Sequence, residues 1–467
     1  MESDSNPSPV LYDIIILGAS GFTGKYVVRE ALKFHNSPSS PLKSFAVAGR
    51  NHSKLTQALK WAAAEPNSPP PSIPILTADT ADPASLRMLC SRTRLILNCV
   101  GPFRLHGDPV VSACVEAGCD YLDICGEPEF MERMEYSYHD QAVENGSLVV
   151  SACGFDSVPA ELGWMFNSKQ WVYPAVPNQI EAYLSLESDK NIVANFGTYE
   201  SAVLGVANVD KLMELRRSRP RRSKPKIPGP YPRKGTTIEY QKEFGLWVLK
   251  LPSADTAVVS RTLATLTKHP QGLPGVKESD KQTEKRKKFW STTKPAYFGL
   301  KLGSNCLWGL FQFITLGVSI GYLGRSSIGR WLLLNFPSFF SVGWFSKKGP
   351  SEDEVESASF KMWFVGRGYS DLSRRMSTED GDKKQEPDAE IITRVMGPDP
   401  GYSTTPIILL QCALIVLAQR NNLPKGGVLT PGIVFGPTNL RERLEHNGIS
   451  FDVISRRVVC KFGRCPF

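Results

Sequence analysis

The feature that most constrains the fold is Tyr12–Leu17 (YDIIIL), followed at once by Gly18-Ala19-Ser20-Gly21-Phe22-Thr23-Gly24 and then KYVVREALKF. An Ile-rich apolar run of this length suits a strand buried on both faces of a parallel sheet, and the residues after the glycines have helical apolar spacing. Strand, glycine loop and helix stand in the order a phosphate cradle needs. Gly18 permits the tight turn, Gly21 lets the backbone approach a pyrophosphate, and Gly24 lets helix and strand pack closely, while the first N–H groups of the helix attract the anion. The spacing is G-x-x-G-x-x-G, so the glycines argue for a nucleotide only together with their flanking elements.

The next segments repeat the pattern. Ser44 to Ala48 reads as a second strand ending in Gly49-Arg50, where a NAD site usually carries an acid for the ribose hydroxyl. A guanidinium there suits a 2′-phosphate, which favours NADP(H) and leaves NAD(H) open; the plain alternative is that Arg50 begins a helix from a solvated position. After a Pro/Ser-rich loop at 65–74, Ile75-Leu76 forms a third strand, and Asp79 follows where a carboxylate reaches an adenine amino group. Leu95 to Val100 forms a fourth strand ending in Gly101-Pro102-Phe103, so Asn98 to Pro102 should line the cofactor at the carboxyl edge of the sheet. Asp120 to Asp123 and Ser147 to Ala152 continue the alternation. We therefore expect an α/β chain: a Rossmann-like doubly wound parallel sheet over residues 1–160 and a second α/β domain over 161–467. Titratable groups after the strand ends are His106, Tyr121, Asp123, Glu127 and Asp156. Tyr121 and Asp123 are the preferred catalytic pair, although every one of these positions also suits a cap or a loop hydrogen bond.

Composition narrows the rest. The 467 residues carry 55 Lys+Arg against 46 Asp+Glu, a net charge of +9, with 41% hydrophobic and 22% charged residues. Those proportions and a mean hydropathy of −0.20 exclude a polytopic membrane protein and whole-chain disorder. Ten cysteines without a C-x-x-C pair and six scattered histidines support neither a disulfide framework nor a metal site. Met1 to Val10 contains two acids and no base, so no cleavable transit or signal peptide is expected.

The positive charge is concentrated. Arg216, Arg217, Arg219, Arg221, Arg222, Lys224 and Lys226 stand in a proline-broken stretch, read as an extended, solvated linker over 216–234. A second basic linker is expected at 277–288. It precedes an apolar insertion at 289–348, in which Leu302 to Leu323 lacks any formal charge and as one helix would measure about 33 Å against a hydrocarbon core of about 30 Å. A second apolar stretch, Trp331 to Phe345, is broken at Pro337. Spanning, insertion as a shallow hairpin and burial in the protein all remain open, and the flanking bases favour a membrane or lipid surface. No nucleic-acid-binding signature accompanies the bases, so no nucleic acid partner is expected. Segments at 179–187, 359–365, 390–395 and 450–454 read as strands of the second domain, and Ile407 to Ala418 as a buried helix of that domain.

In order along the chain, GASGFTGKYV, VAGR, NCVGPF, DYLDICGE, GFDSVPAELG, MGPDPGY and GGVLTPGIVFG resemble the motifs of the saccharopine dehydrogenase-like oxidoreductases. The resemblance implies a Rossmann domain, a nicotinamide dinucleotide and a second domain that supplies the substrate face. It puts Gly18, Ser20, Gly21, Phe22, Thr23 and Gly24 at the phosphates and Asn98, Gly101 and Pro102 along the nicotinamide side. It implies hydride transfer to or from an imine, keto or enoyl group of a substrate that is lipid-like in some members, without pointing to saccharopine itself. A mitochondrial membrane, another organelle surface or a lipid droplet is the location in keeping with it, and a homodimer stays open. The rival reading is a nucleotide-binding lipid-surface protein without turnover.

Overall fold

In a computed structural model, residues 11–35, 37–63, 72–232, 235–371, 386–460 and 463–466 are described. The Met1 to Val10 segment, most of the Pro/Ser-rich loop and the last two residues of the 216–234 linker lie outside them. The alternation read from the sequence runs β1 (Tyr12–Leu17), α1 (Phe22–Phe34), β2 (Phe45–Gly49), α2 (His52–Ala62), β3 (Ile75–Thr77), α3 (Pro83–Cys90), β4 (Thr93–Asn98), α4 (Phe103–Ala117), β5 (Asp120–Asp123), α5 (Pro128–Asn145), β6 (Leu148–Val150) and α6 (Val158–Ser168). Local chemistry sets the boundaries: the Asn51 side chain accepts from Lys54 N to start α2, Asp82 caps α3 ahead of Pro83, and Gly118 and Gly146 take left-handed conformations to end α4 and α5.

The strands form one parallel sheet in the order Gly427–Leu429, β6, β5, β4, β1, β2, β3. The winding reverses between β1 and β4, and this opens a crevice at their carboxyl ends. Its outer strand comes from far along the chain, Gly427–Leu429 pairing with Leu148–Val150. The helix Thr405–Gln419 also returns to this sheet, packing on α1, β4 and β5. It is not a helix of the second domain's own core: apolar on every side, it needs cover all round, and the sheet face beside α1 supplies it.

The second sheet has eight strands, ordered Gly463–Pro466, Ser450–Cys460, Ala389–Pro398, Ala358–Tyr369, Val176–Ser188, Tyr297–Ser304, Leu246–Leu249 and Ile238–Gln241. All neighbours are antiparallel except Val176–Ser188 and Tyr297–Ser304.

Three expectations about the charged and apolar segments need correction. The belt from Leu302 is not one helix, because Tyr297–Ser304 is a strand; the helix is Leu307–Leu323, 17 residues or about 26 Å, short of a bilayer core of about 30 Å. The 277–288 segment is not a linker, since Asp280–Thr292 is a helix with a capping box at Ser279, and Arg286 is buried in an ion pair with Glu278 at 2.8 Å. The 216–226 run is not wholly solvated. Arg216 pairs with Glu132, and Arg222 with Glu135, both on α5, because carboxylates covered at a domain contact require cationic partners. Burial would raise the Glu135 carboxyl, but Arg261 and Arg222 overcome it and hold it down at about 2. Arg217, Arg221, Lys224 and Lys226 stay exposed.

Candidate functional site

The crevice between β1 and β4 is shaped by glycine. Gly18 has φ +82°, and a Cβ there would stand 2.7 Å from Val100 Cγ2 across the crevice. A Cβ at Gly24 would overlap the Gly18 carbonyl oxygen, so the start of α1 can sit against the loop only without a side chain at that position. Gly21 is exposed and forms the N-cap of α1 with no side-chain cap. Its own N–H donates to Gly18 O at 2.9 Å, and the first helical bond runs from Lys25 N to Gly21 O at 3.0 Å. The amides of Phe22, Thr23 and Gly24 therefore have no intrahelical acceptor, as an incoming phosphate requires. Ser20 and Thr23 are half-buried beside them. The Phe22 ring turns the other way, 4.8 Å from the Tyr402 ring of the second domain, so its share in an anion site is its backbone.

Arg50 is exposed one residue beyond β2, and Gly18 N donates to Ala48 O at 2.9 Å, which sets the end of β2 beside the glycine loop. Asp79 follows β3, half-exposed, with Oδ1 accepting from Ala81 N at 3.0 Å. On the other side of the crevice, Asn98 is fully buried; its Nδ2 donates to Tyr121 Oη at 3.0 Å and its Oδ1 accepts from Val100 N at 3.0 Å. That clasp shapes the turn leading to the exposed Gly101 and the buried Pro102.

Tyr121 and Asp123 are brought together, as their positions two apart on one strand face demand. Tyr121 Oη donates to Asp123 Oδ2 at 2.9 Å, and Asp123 also accepts from Ser151 Oγ, Cys125 N and Ala152 N, each at 2.9 Å. Both side chains are 0% exposed. Burial pushes the Asp123 carboxyl up to about 6 despite those donors. The pair lies sealed beneath the edge and is tied to it by Asn98 and by the Cys125 and Ala152 amides. Glu127 is a cap, accepting from Phe103 N at 2.9 Å and Arg104 N at 3.0 Å and from Ser201 Oγ of the second domain at 2.8 Å. His106 is half-buried, with Nδ1 3.5 Å from Thr80 Oγ1.

One grouping escaped the sequence reading. Asp156 is exposed, and its Oδ2 lies against Gly126 in the loop after β5, where a Cβ would stand 2.5 Å away. The next residue, Ser157, is fully buried at φ +123°, and its backbone N–H donates to Phe155 O at 2.8 Å, while the buried carboxylate of Asp255 accepts from Ser253 Oγ at 2.5 Å. Burial, reinforced by the Asp156 charge, pushes Asp255 up to about 7. Ser253 two residues before Asp255 reads in sequence only as a helix cap, and a partner 99 positions away gives no local signal.

Residues 14–150 match the family model described as the saccharopine dehydrogenase NADP binding domain. Over 457 residues the chain is 68% identical to the probable mitochondrial saccharopine dehydrogenase-like oxidoreductase of Arabidopsis thaliana, covering 98% of this chain and 99% of that protein. The chain belongs to the saccharopine dehydrogenase-like oxidoreductase family. Within reach of the same family is a Caenorhabditis elegans relative named lipid droplet localized protein, 32% identical over 95% of this chain and 97% of its own length. Among solved structures, the apo saccharopine dehydrogenase (L-Glu forming) of Saccharomyces cerevisiae shares the fold, with a TM-score of 0.50, 11% identity and coverage of 95% of this chain and 100% of that one. The family is one of oxidoreductases with an NADP-binding domain, in agreement with the motifs read from Gly18 onward.

Proposed function

We propose that the protein transfers hydride between NADP(H) and an apolar, lipid-soluble substrate bearing an imine, keto or enoyl group. The observation that carries the cofactor half is the uncapped start of α1 standing over a loop where Gly18 and Gly24 leave no room for a Cβ. In this reading the Phe22, Thr23 and Gly24 amides hold the diphosphate, and Arg50 meets the 2′-phosphate. A charge-assisted contact of that kind contributes about 1.5–3 kcal/mol, enough for a tenfold preference over NAD(H). When bound, the dinucleotide supplies or accepts the hydride. Tyr121 and Asp123 serve as positioning residues that fix Asn98 and hence the turn to Gly101, while Asp156, exposed at the open edge, hands a proton to substrate.

Fluorescence titration with NADPH tests the cofactor assignment. Saturable binding, lost in Gly24→Val and weakened at least tenfold in Arg50→Glu, is expected; equal affinity for NADH in the native protein would remove Arg50 from it.

The lipid half rests on the helices Leu307–Leu323, Ser327–Asn335 and Pro337–Phe340, which expose Leu307, Trp308, Phe311, Val318, Tyr322, Ile328, Trp331 and Phe339, with Phe336 exposed between the last two helices. No acidic residue occurs between Leu302 and Lys348, whereas Arg325, Arg330, Lys347 and Lys348 do. Such a face fits the surface of a lipid droplet or an anionic organelle membrane. The helix Phe196–Ala207 joins it to the catalytic edge: Tyr199 and Val203 pack with Ile320 and Leu333, while Ser201 bonds Glu127. Flotation with phosphatidylserine vesicles tests this half. A protein that floats and binds NADPH yet reduces none of the three substrate classes would favour a lipid-surface sensor instead.

A further inference from the structure

We propose that Cys90, Cys114 and Cys119 form a hydroperoxide-sensitive disulfide site at the amino edge of the first sheet, opposite the cofactor crevice. Cys90 is the last residue of α3, Cys114 lies in the last turn of α4, and Cys119 immediately precedes β5. Helix ends that lead into adjacent parallel strands meet at one edge of the sheet, so residues 24 and 5 positions apart converge there although no C-x-x-C spacing announces them. Cys90 Sγ and Cys114 Sγ are 3.6 Å apart, and Cys119, whose Sγ donates to Asp120 O at 3.4 Å, lines the same cavity wall as Cys90. A disulfide needs about 2.05 Å, an approach of about 1.5 Å that side-chain rotation can supply.

Access sets Cys90 and Cys119 apart from Cys114, and reactivity favours Cys90 as the first sulfur to react. A cavity of about 670 Å³ opens on this corner, and Cys90 and Cys119 are in its wall together with Arg94, Arg420 and Lys425. A hydroperoxide is small and polar enough to enter such a cavity. Hydrogen bonds from Cys114 and Cys119 outweigh burial and bring the Cys90 thiol down to about 5, toward the nucleophilic thiolate. Cys114 is fully buried, and its thiol is pushed up by burial, which suits a resolving thiol. Two further cysteines, Cys153 and Cys412, are fully buried, and neither lines this cavity.

The chemistry balances without any further redox partner. The Cys90 thiolate attacks one oxygen of a hydroperoxide, the O–O bond breaks, and the departing oxygen leaves as water or an alcohol after taking a proton, giving a sulfenic acid. Cys114 then attacks that sulfur; the S–S bond forms, the S–O bond breaks, and hydroxide leaves as water with the thiol proton. Two thiols are oxidised and one peroxide is reduced, and a dithiol reductant reverses the change. Cys119 can exchange into the product.

The test treats the reduced full-length protein with stoichiometric hydrogen peroxide, then alkylates, digests and identifies linked peptides by mass spectrometry, with circular dichroism recorded throughout. We expect a Cys90–Cys114 or Cys90–Cys119 link formed with the fold intact and reversed by dithiothreitol, while Cys153 and Cys412 stay reduced. In Cys114→Ser the link should move to Cys119 or halt as a dimedone-trapped sulfenic acid at Cys90, and Cys90→Ala should slow loss of corner thiols at least tenfold. Oxidation of Cys153–Cys412 at the same rate as the corner, a link that appears only with unfolding, or a Cys90 that remains reduced would each overturn the proposal.

Discussion

The helices Thr405–Gln419 and Leu307–Leu323 are similar in length, and neither carries a formal charge, yet they end in opposite surroundings. In the first, 13 of 15 residues are buried; in the second, only Gly309, Leu310, Phe313 and Ile320 are. The longer segment Pro400–Asn422 is even long and apolar enough to cross a membrane by length and composition, and 83% of its apolar 18-residue window is buried inside the protein. Apolarity therefore demands removal from water without choosing between protein and lipid. The choice follows from how many faces the fold covers: α1 and the first sheet enclose Thr405–Gln419, whereas Leu307–Leu323 meets the second sheet and its neighbouring helices on one side only.

The sharpest way to break this contrast is to place a carboxylate in each helix. Ile408→Asp buries an unpaired charge at a fully covered position, at a cost of several kcal/mol against a total stability of about 5–15, so loss of the cooperative thermal transition and of soluble yield is expected. Tyr322→Asp, at a residue 79% exposed, should leave the melting temperature within about 2 °C. If both substitutions melted alike, the two regions would not differ as described.

Next in size is the exposed apolar side. Each large apolar side chain transferred from water contributes about 1.5–3 kcal/mol when fully buried, so changing Trp308, Phe311, Trp331 and Phe339 together to Ser should weaken vesicle binding more than a hundredfold. Unfolding in urea should change little. Undiminished flotation of that variant would locate the membrane contact elsewhere.

A smaller effect sharpens the covered side. Glu161 is fully buried near Gly432, and burial pushes its carboxyl up to about 7 from an ordinary value of 4.5. A raised carboxyl binds its proton more tightly in the folded state, so its contribution to stability falls as pH rises from about 4.5 to about 7. Glu135 acts in the opposite sense, since its depressed value of about 2 gives stability above about 4.5 that is lost as pH falls toward 2. Thermal melts of Glu161→Gln should decline less between pH 5 and pH 8 than those of the native protein. An unchanged slope would mean that Glu161 is charged in the fold.

The smallest effect is electrostatic. Lys347→Ser with Lys348→Ser should reduce binding to anionic vesicles by about 2 kcal/mol, roughly thirtyfold, and the difference should fade in high salt. Neutral vesicles should not distinguish the two proteins.

The first sheet was legible because its signals are local. Period, glycine spacing and strand-ending residues place β1 to β6 and the loop from Gly18 to Gly24 without any distant partner. The seventh strand, Gly427–Leu429, was not, because three residues carry no period and their pairing with Leu148–Val150 spans the chain. The same limit hid the end of the strand Tyr297–Ser304, whose Leu302 and Gly303 merge without a charge into the helix that follows. Tyr121 and Asp123 were singled out for their chemistry, and their burial depends on the layers that α4, α5 and the helix Thr405–Gln419 lay over the sheet. Asp255 went unnoticed because its neighbour Asp156 is supplied by another domain.

The sequence by itself determined the dinucleotide fold, the glycine loop, the family and the concentration of positive charge beside an apolar segment, since each is written in neighbouring residues. Only the tertiary structure decided which apolar helix is core, which bases are paired, which carboxylates meet and where three cysteines converge. Those outcomes depend on solvent exclusion and on distances between residues far apart in the chain, and neither quantity exists until the sheets have closed.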